Sequence, residues 1–209
     1  MPEILHKYFE NNSKLIVWEV TEEIESLKQK TKLTPDEKRY IEKIKTPKRK
    51  TEYICVRFIL QNILNCKKTI RYNNNGKPFI DNKTKLSISH SHNFIAVFIA
   101  NTDIGVDIEK ISDKPFRVKE KFLTSDEMSI IEQNNKIFYY TLFWSAKETI
   151  FKLYSDKHLA FAENINIQEF RENKTENNLI IKVKLTDFII YQKVFYKKNA
   201  NFVITWAQK

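Results

Sequence analysis

The sequence predicts an α+β fold of two pseudo-duplicated halves with a functional site between them. One long helix is predicted in each half, from about Lys48 to Asn65 and from Phe138 to Leu153. The first of these carries an apolar stripe at helical spacing. Segments with the alternation or the uniform hydrophobicity of strands accompany both helices. This recurrence of a long helix beside a run of strands is the basis for predicting the duplication.

The boundary between the halves is predicted between Ala100 and Gly105. A polar turn, Asn101-Thr102-Asp103, interrupts an apolar run at this point, and no low-complexity linker divides the chain elsewhere. We therefore predict an N-terminal half over residues 1–102 and a C-terminal half over residues 103–209.

The elements of the first half follow from periodicity and from capping residues. Lys14 to Val20 alternates as a strand, and Thr21 is a possible cap for a short helix over residues 22–29. Thr34-Pro35-Asp36-Glu37 is typical of a second helix start. The other predicted elements of this half are a turn at Asn73–Gly76, an extended segment at Lys77–Ile80, and strands at Leu86–His90 and Phe94–Ala100.

The second half opens with a predicted strand from Asp103 to Glu109, which we expect to close the β-rich centre of the chain. Thr124-Ser125-Asp126-Glu127 has the pattern of a capping box at a helix start. The other predicted elements are a short helix at Phe116–Phe122 and strands at Ile165–Ile167, Leu179–Leu185, Phe188–Phe195 and Phe202–Trp206.

Composition excludes several classes of protein. The 209 residues contain no apolar run near the roughly 20 residues of a membrane span, and the first residues do not have the pattern of a secretory signal. Cys55 and Cys66 belong to no zinc or redox motif, so we expect a reduced cytoplasmic protein. The only glycines are Gly76 and Gly105, which excludes a glycine-rich phosphate loop. The net charge of +10 indicates an anionic partner.

Gly105-Val106-Asp107-Ile108-Glu109 predicts a strand with two carboxylates on one face, because strand side chains alternate. Two adjacent carboxylates repel each other unless a positive group lies between them. One interpretation is a cation site, beside a glycine that allows close backbone approach. The alternative is the solvated face of an edge strand.

Trp144, Glu148 and Lys152 follow one another at steps of four on the predicted helix and therefore share a face. An ordinary Glu148–Lys152 pair on a solvated face is one interpretation, although Trp144 is an unusual companion for it. Together with Asp107 and Glu109, this face would bring three carboxylates and a lysine to one place. Those groups suit a hard divalent metal held against a phosphate while a proton moves.

Ser87-Ile88-Ser89-His90-Ser91-His92 ends a predicted strand with hydroxyl groups and two histidines. A histidine beside hydroxyl groups suits phosphate binding, whereas His90 and His92 together could bind zinc. A hydrogen-bonded surface histidine is the third interpretation. Lys48-Arg49-Lys50 and Gly76-Lys77-Pro78 add basic groups that could equally be solvated.

These motifs, taken in their order along the chain, resemble those of the 4′-phosphopantetheinyl transferases, specifically the larger, surfactin-synthetase-activating type. The resemblance covers about Lys48 to Lys152, and Lys48-Arg49-Lys50-x-Glu52 is similar to the basic helix start of the enterobactin-associated members. Short members of the family work as trimers, so a chain with both halves is expected to be a monomer. The motifs that carry the resemblance are Gly76-Lys77-Pro78, Ser89-His90, Gly105 to Glu109, Phe122…Glu127 and Trp144 to Lys152.

The resemblance implies transfer of the phosphopantetheine arm of coenzyme A to a serine of an acyl or peptidyl carrier protein, with release of adenosine 3′,5′-bisphosphate. It implies that Asp107, Glu109 and Glu148 bind Mg²⁺, and that Lys152 offsets charge on the leaving phosphate. Either Glu148 or a water held by Glu109 would take the proton from the carrier serine, and the resemblance favours Glu148.

The resemblance also assigns the nucleotide of coenzyme A to basic and hydroxyl residues. Arg49, Lys77, Ser89 and His90, together with Lys152, would hold its phosphates. Lys147 would be either structural or a contact to the pyrophosphate.

The excess positive charge is consistent with these partners, since carrier proteins are typically acidic helical bundles and coenzyme A carries several phosphate charges. Two alternatives come from other classes. A nucleic-acid-binding protein would need a continuous basic groove with stacking aromatics, which the carboxylates interrupt. A catalytically silent carrier-binding module would not need Asp107, Glu109, Glu148 and Lys152 together.

Overall fold

A computed structural model describes residues 3–73, 76–131, 135–171 and 177–209, and over these ranges the chain forms two antiparallel sheets and seven α-helices. The predicted α+β class is therefore confirmed. Residues 74 and 75 of the predicted turn at Asn73–Gly76 lie outside the described residues. Within the described ranges, no helix is long and apolar enough to cross a membrane.

The first sheet has six strands: β1 (Glu3–Tyr8), β2 (Lys14–Glu19), β3 (Arg71–Tyr72), β4 (Pro78–Phe79), β5 (Lys85–Ser91) and β6 (Phe94–Ala100). They lie in the spatial order β1-β2-β6-β5-β4-β3. The sequence predicts β2, β5 and β6 but misses β1, because the residues of β1 are mostly half-buried or exposed and give little apolar alternation. Three helices belong to this part of the chain: α1 (Ile24–Lys30), α2 (Pro35–Lys43) and α3 (Pro47–Phe58).

The second sheet has five strands: β7 (Ile104–Lys110), β8 (Ile165–Arg171), β9 (Asn178–Lys184), β10 (Ile189–Lys198) and β11 (Phe202–Gln208). They lie in the order β7-β11-β10-β9-β8. The strand predicted from Asp103 to Glu109 forms β7, an edge strand of this sheet that also packs against β5 and β6 of the first. Periodicity identifies a strand but does not specify its partner. The helices of this part of the chain are α4 (Lys114–Arg117), α5 (Ser125–Ser129), α6 (Lys136–Tyr154) and α7 (Phe161–Asn164).

The two sheets pack face to face around a shared apolar core. Leu15 and Val17 of β2 pack in that core together with Val106 of β7. Ile16 and Trp18, on the opposite face of β2, pack in the core that contains residues of α1, α2 and α3. Helix α6 covers the other face of the second sheet. The alternation along β2 thus determines which side chains join the halves and which hold the helices.

Two of the predicted helix starts are confirmed. Thr34 and Thr124 each form a capping box with the glutamate three residues later. The prediction of Thr21 as a cap is wrong: α1 begins at Ile24, and the Glu22 carboxylate instead accepts the backbone N–H of Thr21.

The helix predicted from Lys48 to Asn65 is α-helical only in its first part. Helix α3 stops at Phe58 and continues as a π-helical turn over Ile59–Ile63. The predicted helix around Phe116–Phe122 is likewise divided, into α4 and a short 3₁₀ turn over Lys119–Lys121.

The chain passes from the first sheet to the second between Ala100 and Ile104. The division into halves at residue 102 stays a prediction. So does their duplication, because the two sheets differ in strand number and in strand order.

Candidate active site

The site lies where α6 crosses β7, and Gly105 permits that approach. A Cβ atom at Gly105 would lie 2.1 Å from the backbone oxygen of Thr149 and 2.9 Å from the backbone nitrogen of Leu153. Both atoms belong to the backbone of α6, so neither can move aside easily. The glycine therefore allows the close helix–strand contact that brings the motif of β7 against the motif of α6.

Asp107 is at the centre of the site and is only 3% exposed. Its Oδ1 accepts a hydrogen bond from Ser89 Oγ at 2.7 Å and one from Lys152 Nζ at 2.8 Å. Its Oδ2 is buried and has no hydrogen-bond partner among the residues that the structure describes. The interpretation of Asp107 as a residue on a solvated strand face is therefore wrong.

Glu109 lies two residues further along the same face of β7. Its Oε2 accepts from Ser91 Oγ at 2.7 Å, and its Oε1 accepts from Trp144 Nε1 at 3.2 Å. Burial, and then the charge of Asp107, raise the pKa of Glu109 to about 7. The hydrogen bond also explains why Trp144 shares a helix face with charged residues.

Glu148 and Lys152 lie one turn apart on α6 and are both half-buried. The ion pair of Lys152 is with Asp107, not with Glu148, so the interpretation of an ordinary surface pair on the helix is wrong. Burial, and then the negative charge of Asp107, raise the pKa of Glu148. The charge of Asp107 therefore contributes to the raised pKa of both Glu109 and Glu148.

The predicted metal ligands Asp107, Glu109 and Glu148 are not gathered into a formed metal centre. Across the described ranges, no three His, Cys, Asp or Glu side chains are arranged to hold a metal ion. The ammonium group of Lys152 is instead the positive group next to Asp107. The assignment of the three carboxylates as ligands stays a prediction.

The first sheet and α3 supply a second group of polar residues. Arg49 Nη1 lies 3.1 Å from Glu52 Oε2 and also contacts His90 Nε2. His90 Nδ1 lies 3.7 Å from Glu52 Oε2. Burial lowers the pKa of His90, and Arg49 acts in the same direction. Arg49 and His90 are thus brought together at a cavity of about 170 Å³.

Lys77 faces a neighbouring cavity of about 300 Å³, together with Lys152 and Lys157. Its Nζ donates to the backbone oxygen of Leu153 at 3.3 Å, near the end of α6. Burial lowers the pKa of Lys77. The two cavities share Gly76, Pro78 and Ile88 in their walls, so they lie side by side as one cleft.

Two other sequence interpretations concern histidine and serine residues. His92 adopts a left-handed backbone at a turn and faces a different cavity from His90, and no metal-binding group in the described ranges includes the pair. Ser89, predicted to hold a phosphate, is 6% exposed and donates its hydroxyl proton to Asp107.

Lys147 is fully buried and has a structural position. Its Nζ donates to Glu127 Oε2 at 2.9 Å and to the backbone oxygens of Phe122 and Phe161. Burial lowers the pKa of Lys147 to about 8, against the opposing influence of Glu127. The pair joins α6 to the segment around α5, and of the two interpretations of Lys147 the structural one fits these contacts.

Sequence reasoning did not assign the hydrogen-bond roles of Glu52 and Ser91. Glu52 pairs with Arg49 and lies near His90, and it follows the basic residues near the start of α3. Ser91 holds Glu109, and the signal for it is the repetition of serine at every second residue of β5.

The sequence of this chain matches a known protein family. The sequence model of the 4′-phosphopantetheinyl transferase superfamily matches residues 103–207, about half of the chain. The chain is also similar to the 4′-phosphopantetheinyl transferase gsp of Aneurinibacillus migulanus, with 31% identity over 106 residues. That alignment covers 48% of this chain and 45% of the relative, so it spans less than half of either protein. The family match includes Asp107, Glu109, Glu148 and Lys152.

Proposed function

This chain belongs to the 4′-phosphopantetheinyl transferase superfamily, and from that premise we propose the reaction that its site performs. The protein transfers the 4′-phosphopantetheine arm of coenzyme A to a serine hydroxyl of an acyl or peptidyl carrier protein. The new bond joins the serine oxygen to the β-phosphorus, and adenosine 3′,5′-bisphosphate leaves with the electron pair of the broken pyrophosphate bond.

The observation that carries this proposal is the environment of Asp107. A carboxylate that is 3% exposed receives a lysine and a serine on one oxygen. Its other oxygen is buried and unpaired within the described part of the chain. An unpaired buried carboxylate oxygen is costly, and a cation is the group that satisfies it best.

Mg²⁺ fits this donor set, because it prefers a few carboxylates together with water and substrate phosphates. We assign Asp107, Glu109 and Glu148 as its ligands. Burial, and then the negative charge of Asp107, raise the pKa of both glutamates, so a cation placed beside these carboxylates would be favoured. When bound, Mg²⁺ would neutralise charge that develops on the pyrophosphate oxygens.

Glu148 is the proposed base for the carrier serine. It is half-buried on α6, and without a cation, burial and then the charge of Asp107 raise the pKa of its carboxyl group. The alternative base is a water molecule held by Glu109.

The cleft between the halves is the proposed site for the coenzyme A phosphates. Arg49 and His90 line one part of it, and Lys77 and Lys152 line the other. Four basic side chains in one cleft suit a ligand with several phosphate groups. Ser89 lines neither cavity and acts through Asp107.

We propose that a single chain forms the whole site. Ser89 belongs to the first sheet and Asp107 to the second, and they are hydrogen-bonded within one chain. This is consistent with a monomer of two related halves, since no second copy is needed to bring the two groups together.

The test is intact-mass spectrometry of an apo acyl carrier protein incubated with this protein, coenzyme A and Mg²⁺. A mass increase equal to the phosphopantetheine arm, absent with EDTA, supports the proposal. Binding of coenzyme A without any increase on several carriers would indicate a silent carrier-binding module. Failure to bind coenzyme A would overturn the proposal and direct attention to nucleic acid as the anionic partner.

A further inference from the structure

Strand β5 presents three serine hydroxyl groups toward the edge of β7, and each has a defined partner. Because side chains alternate along a strand, the three hydroxyl groups lie on one face. The residues, which we call the serine stripe, are Ser87, Ser89 and Ser91.

Two members of the stripe hold the carboxylates of the proposed metal site. Ser89 Oγ donates to Asp107 Oδ1 at 2.7 Å, and Ser91 Oγ donates to Glu109 Oε2 at 2.7 Å. Ser91 Oγ also accepts the backbone N–H of Lys110 at 3.1 Å. That second bond limits rotation of the hydroxyl group, so its proton is directed at Glu109.

The third member bonds differently. Ser87 Oγ accepts the backbone N–H of Val106 at 3.1 Å, and no carboxylate is among its hydrogen-bond partners in the described residues. It therefore attaches β5 to β7 without orienting a carboxyl group. This difference makes Ser87 a matched control for the other two.

The stripe belongs to a strand that is held in the first sheet. β5 pairs with β6 along its whole length, from Lys85 to Ser91, and with β4 at Lys85. β7 is an edge strand of the second sheet. The carboxylates on β7 are thus oriented by groups fixed in the other half of the protein.

We propose that Ser89 and Ser91 are positioning residues that orient the carboxyl groups of Asp107 and Glu109 for a divalent cation. The inference rests on the proposed metal site. A carboxylate held in the binding orientation loses less rotational freedom when the cation arrives, and hydrogen-bond partners of metal ligands typically contribute about 10–100-fold in affinity. The serines that follow one another on β5 thereby set the metal affinity of residues in the other half.

The experiment measures Mn²⁺ binding to the full chain without coenzyme A, by the electron paramagnetic resonance of free Mn²⁺, because Ser87 lines the cavity proposed for coenzyme A. We expect Ser91→Ala and Ser89→Ala to weaken binding about 10–100-fold. Ser87→Ala should leave the affinity unchanged, and Ser91→Thr, which keeps the hydroxyl group, should restore most of it. Circular dichroism checks that each variant is folded.

The outcomes separate this inference from the proposed function. A folded Ser91→Ala protein that binds Mn²⁺ as tightly as wild type overturns the inference, even if wild type modifies the carrier. An equal loss in Ser87→Ala also overturns it, since that would be a general packing effect. Weakened binding in Ser91→Ala, with no carrier modification by wild type, supports the inference while the proposed reaction fails. Should Ser89→Ala not fold, the half-buried Ser91 decides alone.

Discussion

The ammonium nitrogen of Lys152 lies 2.8 Å from Oδ1 of Asp107, so a lysine of α6 partly neutralises a carboxylate buried in β7. This contact links the two sequence motifs across the helix–strand junction. It leaves one oxygen of Asp107 without a hydrogen-bond partner in the described ranges.

Asp107→Asn keeps the size of the side chain and removes its charge. We expect carrier modification to slow by about 100-fold or more, because loss of a metal ligand removes several kcal/mol of transition-state stabilisation. The rate is followed by intact mass of the carrier, and thermal unfolding should change little. Asp103→Asn, at an aspartate that pairs with Lys209 on the surface, is the matched control. Near-normal turnover in Asp107→Asn would contradict the metal assignment.

Lys152→Met leaves the buried Asp107 without its lysine partner. We expect the metal-free protein to lose about 1–3 kcal/mol of unfolding free energy, because a buried charge becomes uncompensated. Mg²⁺ should restore part of that loss by supplying another positive charge at the same carboxylate. Differential scanning fluorimetry with and without Mg²⁺, at constant ionic strength, measures both effects. Lys157→Met changes an exposed lysine of the same cleft and should alter neither.

Lys147→Met breaks a fully buried ion pair with Glu127. We expect the free energy of unfolding to fall by about 3–5 kcal/mol, because the carboxylate of Glu127 stays buried without its lysine partner. Urea unfolding followed by circular dichroism measures the change, and Lys136→Met in the first turn of the same helix is the control. A Lys147→Met protein as stable as that control would show that the pair does not hold α6 in place.

His90 gives the stability a defined dependence on pH. Burial holds the pKa of His90 below its ordinary value of 6.5, so the unfolded chain binds a proton here more readily than the folded one. The unfolding free energy should therefore increase as pH rises from the folded pKa toward 6.5. Proton NMR of the imidazole gives the folded pKa, and His90→Gln should remove this part of the slope. If the pKa of His90 in the folded protein lay above 6.5, the unfolding free energy would decrease with pH over this range, and the lowered pKa of His90 would be refuted.

Carrier binding should weaken as salt rises, because the chain has a net charge of +10 and the proposed carrier is acidic. Surface plasmon resonance across a range of ionic strength measures this, with the association rate expected to change most. A carrier whose helix acids are neutralised should show a flatter dependence. Salt-independent binding to the acidic carrier would rule out electrostatic steering.

The sequence was sufficient for elements with a strong local signal. The helix starts at Thr34 and Thr124, and the long helix α6, follow from local sequence patterns alone. β1 and the π-helical turn after Phe58 do not, because neither has a local pattern that distinguishes it. The strand that pairs with β7 could not be predicted from the sequence either, because strand pairing depends on contacts between distant parts of the chain.

In the candidate site, too, local sequence patterns and long-range contacts determined different features. Alternation along β7 and the four-residue steps on α6 determined that Asp107 and Glu109 share a face, and that Trp144, Glu148 and Lys152 share another. Only the tertiary structure decided that Lys152 pairs with Asp107 and not with Glu148, and that Ser89 is directed at a carboxylate. Periodicity specifies the face on which a side chain lies, whereas its hydrogen-bond partner depends on which element packs against that face.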